Sequence, residues 1–207
     1  QMKKLYFFLF LALLGSITLG YAQQTYVPDD NFEHYLETTA GMGNGIANDN
    51  YVTTANINTK LYLNVNNKNI ADLTGIEDFV ALTSLDCQNN QLTSLDVSQN
   101  VNLEYLHCGF NQLTSLDVSQ NTALIEFDCY YNQLTNLDVS QSLALVNLKC
   151  DFNQLTNLDV SQNSNLTWLD CNNNSLEAIN IKNRTYLYTL DFSNNPNLQY
   201  VCADETD

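Results

Sequence analysis

The residues with chemical potential in this chain fall into evenly spaced rows. Cys87, Cys108, Cys129, Cys150 and Cys171 recur every 21 residues, and Cys202 stands off that spacing. Six cysteines would, in an oxidising compartment, ordinarily be read as a disulfide framework, and clustered thiolates as a zinc site. The even spacing argues against both. Side chains at one register position of successive coils point the same way, and parallel Cβ vectors favour neither a relaxed bridge nor a tetrahedron. Free, buried thiols acting as small hydrophobes are therefore preferred over pairs, with Cys202 alone expected to be exposed. Asn90, Asn111, Asn132, Asn153, Asn174 and Asn195 keep the same period. A buried Asn at that bend is expected to bond the backbone of its own and the next coil. Asp96, Asp117, Asp138 and Asp159, each followed by Val-Ser, form another row. Asx turns with the local backbone are the preferred reading, cations held between coils the other.

The positions that vary between units are the candidates for function, because a scaffold has no reason to vary them. One row runs Ser84, Tyr105, Glu126, Asn147, Trp168, Thr189; the next runs Asp86, His107, Asp128, Lys149, Asp170, Asp191. Beyond the cysteines come Gly109-Phe110, Tyr130-Tyr131 and Asp151-Phe152. Tyr105, Phe110, Tyr130, Tyr131, Phe152 and Trp168 are expected to form one aromatic patch bordered by acids, the kind of exposed surface that marks a binding site. Against this, Phe110, Tyr131 and Phe152 could merely cover the edge of the coil. His107 between Asp86 and Asp128, and Lys149 between Asp128 and Asp170, read most simply as cross-strand charge pairs, with a general base or metal role as runner-up. The candidate ligand-binding residues are thus Tyr105, His107, Phe110, Asp128, Tyr130, Tyr131, Lys149, Phe152, Trp168 and Asp170. The other histidine, His34, lies outside the array, and no nucleophile with base and orienting acid can be assembled. No enzyme activity, metal or cofactor is assigned. Asn48-Asp49-Asn50 lacks the spaced acids and terminal Glu of an EF-hand loop and is read as a turn.

What positions these rows is a tandem array. The string from Leu92 to Gln112 returns nearly unchanged at Leu113, Leu134 and Leu155, and a fixed period of 20 to 50 residues signals a solenoid. Within a unit, Leu106 and Cys108 alternate with Tyr105, His107 and Gly109, the period of a strand with one buried face. The half from Leu113 to Asn121 turns Leu113, Leu116 and Val118 inward and closes the coil. One such coil buries too little to outweigh its own chain entropy, so stability belongs to the stack. Aligned on the cysteine, each unit reads L-x-x-L-x-C-x-x-N-x-L over roughly residues 60–202, which resembles the leucine-rich repeat of secreted bacterial, internalin-like proteins. The segment from Ile70 to Phe79 resembles the convex side of internalin-type repeats. The resemblance implies a mainly β solenoid of parallel short strands with a turn or extended convex side. It implies too a module that recognises a protein at or outside the cell surface through its concave face.

The flanks are read differently. Residues 1–22 look like a secretory signal peptide: Lys3-Lys4, an apolar run from Leu5 to Leu14 and a small-residue exit at Gly20-Tyr21-Ala22. Cleavage after Ala22 is expected, with no membrane insertion of the mature chain. Residues 23–58 are expected to form an N-terminal cap built on a short helix over Val27–Glu37, with Pro28 and acids in its first turn. The solenoid then spans 59–202, with Leu198–Cys202 as a final strand and a tail at 203–207. Seven Lys and Arg stand against 23 Asp and Glu, scattered rather than patched, so nucleic acid is an unfavoured partner. The reading is a secreted or cell-surface binding module for a protein partner. A carbohydrate-binding module for a surface glycan, or a passive spacer of a larger secreted protein, are the alternatives.

Overall fold

The computed structural model describes residues 22–39, 41–183 and 186–204, so the expected leader lies outside the described residues but for Ala22. The described chain opens with β1 (Gln24–Tyr26), α1 (Asp30–Thr38), β2 (Tyr51–Thr53) and α2 (Thr54–Ile57). Asp29 caps α1 by accepting from the N–H groups of Asn31 and Phe32, which puts Pro28 before the cap rather than inside the first turn. A side chain that satisfies orphan donors there fixes where a helix starts. The other oxygen of Asp29 accepts from the N–H groups of Ala71 (2.7 Å) and Asp72 (3.1 Å), tying the helix to the first coil. Phe32 and Leu36 are fully buried, and Phe32 stacks on Phe79. The antiparallel pairing of β1 with β2 has no repeat to announce it. The segment between α1 and β2 folds as turns. Glu37 accepts from the N–H groups of Asn44 and Gly45, Glu33 from those of Asp49 and Asn50, and Asp49 from that of Tyr51.

The array follows. Strands β3 (Tyr62–Asn64), β4 (Ser84–Asp86), β5 (Tyr105–His107), β6 (Glu126–Asp128) and β7 (Asn147–Lys149) lead to β8 (Asn157–Asp159), β9 (Trp168–Asp170), β10 (Ala178–Asn180), β11 (Thr189–Asp191) and β12 (Tyr200–Cys202). Seven of them, β3, β4, β5, β6, β7, β9 and β11, pair in that order as one parallel sheet. Its register stacks Leu63, Leu85, Leu106, Phe127, Leu148, Leu169 and Leu190 in one inward row. Two residues on, the five cysteines of the repeat form a second buried row, and all six cysteines are free. Burial pushes all five thiols up, Cys171 to about 12, because a thiolate there would have no solvent.

The asparagine row links coils in both directions, with a correction to the expected direction. Asn111 Nδ2 donates to the carbonyls of Cys87 and Cys108 (3.0 Å each), and its Oδ1 accepts from Leu92 N–H (3.0 Å). The side chain therefore binds its own and the preceding coil, not the next. The next coil is reached by the backbone, where Asn111 N–H donates to Tyr131 O. Asn132, Asn153 and Asn174 repeat the geometry. A second buried asparagine row, Asn100, Asn121 and Asn163, donates likewise to carbonyls of the preceding coil. The Asp-Val-Ser segments are Asx turns, with Asp96, Asp117, Asp138 and Asp159 each accepting from the serine N–H two residues on. Those bonds hold the carboxyls of Asp96 and Asp117 below their ordinary value.

The final strand expected at the end of the array forms over Tyr200–Cys202. Residues 200–202 do not extend the seven-stranded sheet. They pair with β10, which pairs with β8, as a separate three-stranded parallel sheet on the other side of the coil. The reason is length: Tyr200 follows Thr189 by 11 residues, half a coil, which brings the chain to the opposite side. Cys202 is exposed there, off the buried row. Among the described residues no helix is long and apolar enough to cross a membrane.

Candidate functional site

The seven-stranded face presents its outward side chains in rows set by the register. The residue before each ladder asparagine, and before Lys68 at the same place in the first coil, has a left-handed backbone: Asn67, Asn89, Phe110, Tyr131, Phe152, Asn173 and Asn194, with φ between 50° and 56°. Asparagine tolerates that conformation; for a bulky side chain it is an outlier. Three adjacent central coils thus carry aromatics where the scaffold's own choice is asparagine. Their rings stack, Phe110 on Tyr131 at 4.5 Å and Tyr131 on Phe152 at 4.1 Å between centroids, within 12° of parallel. Tyr130 meets Phe110 and Tyr131 edge-on. Its hydroxyl donates to Gln88 Oε1 at 2.6 Å, two coils back. The ring crosses Gly109, where a Cβ would lie 2.8 Å from Tyr130 Cε1. That glycine is fixed by packing rather than by a turn.

Tyr105 and Trp168 are exposed as expected but sit in the row of first strand positions, three coils apart, roughly 14 Å at ~4.8 Å per strand. Neither ring touches the stack among the described aromatic contacts. The single patch of the sequence reading is therefore a stack with two separate outliers.

The charged row also differs. Lys149 Nζ pairs with Asp128 Oδ2 at 3.2 Å, as expected, but Asp170 bonds Asn172 instead. The ion-pair contact of His107 is with Glu126 Oε1 at 3.4 Å rather than with Asp86, and Asp128 stays close by, with ligand atoms of the three within 4.8 Å of one another. The competition explains it: Asp86 is occupied by Asn64 and by Gln88 N–H, and Asp128 by Lys149. Asp128 is only 5% exposed. Burial pushes its carboxyl above the ordinary value while Lys149 pulls against it. Burial also opposes the charge of Lys149, yet Asp128 raises the lysine's pKa overall. The lysine gains from the pair, and the aspartate remains short of positive charge. Asp151, beside Asp170, is pushed up to about 6 by burial and then by that neighbour.

The fold and its rows have known counterparts. Internalin J of Listeria monocytogenes (serotype 4b, strain F2365) is 43% identical over 73 residues, 35% of this chain and 8% of that protein. The solenoid is internalin-like, of the leucine-rich repeat kind. In structure it is similar to an internalin, InlF, of Listeria monocytogenes str. 4b F2365, with TM-score 0.63 and 20% identity over 86% of this chain and 56% of that one. It is also similar to the plant peptide hormone receptor RGFR1, solved in complex with RGF2, with TM-score 0.51 and 23% identity over 61% of this chain and 25% of that one. No protein-family model matches. The chain matches a small part of Internalin J and spans about half of the InlF chain.

Sequence reasoning named every member of the aromatic stack but missed the backbone strain beneath it. The signal was present, since asparagine fills the same row in the outer coils. It also passed over Glu126, which stands in the row beside the one holding His107; the diagonal contact is a matter of side-chain reach that spacing does not encode.

Proposed function

We propose that the chain is an exported module that binds a protein partner on its seven-stranded face, centred on Phe110, Tyr130, Tyr131 and Phe152. The observation that carries this reading is the run of aromatics at left-handed positions that four other coils give to asparagine. Local rules broken without a need of the scaffold tend to mark function. Large, rigid rings on an exposed surface are the side chains that dominate interface energetics. A protein is favoured over a glycan because of ring orientation. Both faces of Tyr131 are covered by its neighbours, so the centre of the stack offers an edge, whereas a sugar is best held against an open ring face. Export rests on the leader read in residues 1–22, and a receptor of the same fold bound to a peptide hormone is consistent with a protein ligand.

The test replaces the stack by the scaffold's own residue. Phe110→Asn, Tyr131→Asn and Phe152→Asn together should leave the melting temperature nearly unchanged. Capture of a surface protein in a pull-down should fall by roughly thirtyfold or more, since each lost anchor is worth ~2 kcal/mol. Equal capture by parent and variant would return these rings to an edge-packing role. Hits on a glycan array that vanish in the variant would favour the carbohydrate alternative, and blank results in both formats the passive spacer.

A further inference from the structure

The face carries a second constellation that the aromatic reading does not use. His107 on β5 and Glu126 and Asp128 on β6 project from one side of adjacent strands, and one ligand atom from each lies within 4.8 Å of the others. Each carboxylate is held by one oxygen from the next strand. Asn147 Nδ2 reaches Glu126 Oε2 at 3.5 Å, and Lys149 Nζ takes Asp128 Oδ2 at 3.2 Å. Their other oxygens are left for the space beside His107. There, Asp128 Oδ1 is buried with no hydrogen-bond partner, and His107 Nε2, though 3.4 Å from Glu126 Oε1, makes no hydrogen bond either; Asp128 as a residue is only 5% exposed. Buried polar atoms are nearly always satisfied. Two buried atoms without a hydrogen bond at one spot, each able to donate an electron pair, would both be satisfied by one shared acceptor.

We propose that His107 Nε2, Glu126 Oε1 and Asp128 Oδ1 form a three-ligand site for a divalent metal ion of the Zn2+ type. An imidazole nitrogen with two carboxylates suits a borderline ion rather than Ca2+ or Mg2+, which take oxygen ligands. Three protein ligands leave a tetrahedral ion one open position, directed to the face where a partner would dock. Asn147 and Lys149 act behind the ligands, orienting the carboxylates as outer-shell groups do. Lys149 also tempers the affinity, because its charge competes for Asp128. Binding takes His107 with Nε2 unprotonated and releases any proton it carries. The site stands independently of the aromatic stack and its partner.

The chain has two histidines, which makes the experiment clean. The full chain, carrying Cys202→Ser to remove the exposed thiol as a rival ligand, is labelled with 15N and titrated with Zn2+ while the imidazole resonances are followed. One equivalent should move the Nε2 signal of His107 and leave His34 in place; Ca2+ and Mg2+ should move neither. Asp128→Asn, and independently the half-exposed Glu126→Gln in case the first fails to fold, should weaken the midpoint by more than about tenfold. Lys149→Met should tighten it. The proposal is overturned if His107 does not respond, if both histidines respond together, or if a folded carboxylate variant keeps the parent midpoint.

Discussion

Tyr131 and Asn132 are adjacent in the chain, yet the first is 41% exposed and the second 9%. Asn132 makes the same bonds as its counterparts one coil away on either side, to Cys108 O, Cys129 O and Leu113 N–H. Tyr131 holds a strained backbone in order to stack on rings that only its two neighbouring coils possess. The inward row is repeated because every coil poses the same unsatisfied groups to the next. The outward row is free to change, and where it changes it does so against the preference of its own backbone. Repetition here reports packing, and departure from repetition reports use.

Three experiments test that division. The largest effect concerns the inward thiols: in the native chain a thiol reagent should modify Cys202 at least about a thousandfold faster than the five buried cysteines, whose exposure requires opening of the core. Intact mass after native labelling should show a single adduct, and six after denaturation. Five slow thiols that label as quickly as the sixth would dissolve the inward row as a shared core.

Next in size is Asn132→Ala. It removes the donors to Cys108 O and Cys129 O and the acceptor for Leu113 N–H, leaving buried backbone groups unpaired. At about 1 to 3 kcal/mol for each orphan, partly relieved by water, chemical denaturation should show a loss of about 3 to 5 kcal/mol. The neighbouring Tyr131→Asn should show less than about 1 kcal/mol, since asparagine suits the left-handed backbone. Equal losses at the two sites would erase the comparison.

The smallest effect belongs to Asp151 on the outward face. Its folded pKa of about 6 lies above the ordinary 3.8, so the folded chain holds that proton more tightly than the unfolded chain does. The group therefore lowers stability as pH rises from about 4 to 6, and the loss persists above. Asp151→Asn should raise the melting temperature at pH 7 and give no gain at pH 4. The difference should be about 1 kcal/mol or less, because solvent screens a half-exposed carboxylate. A gain of the same size at both pH values would mean that the charge is not its cause.

Much of this was written in the sequence because the period of 21 residues leaves each register position a single environment. Once Leu106 and Cys108 are inside, so are Leu148 and Cys150, and the thiols need no structure to be read as core. The Asx turns were legible from Asp-Val-Ser for the same reason, being local. What the sequence could not settle was every contact in which side-chain reach or chain length chooses between near neighbours. Leu198–Cys202 was legible as a final strand, but which sheet it joins was decided by the winding of the chain. His107 had three acids on the two adjoining strands, and with Asp86 bonded to Asn64 and Asp128 to Lys149 its closest contact became the diagonal Glu126. The pairing of β1 with β2, a contact between segments 25 or more residues apart with no repeated pattern, was likewise a tertiary decision. Periodicity fixes which side chains point inward; competition among the ones that point outward is resolved only when all of them are present in space.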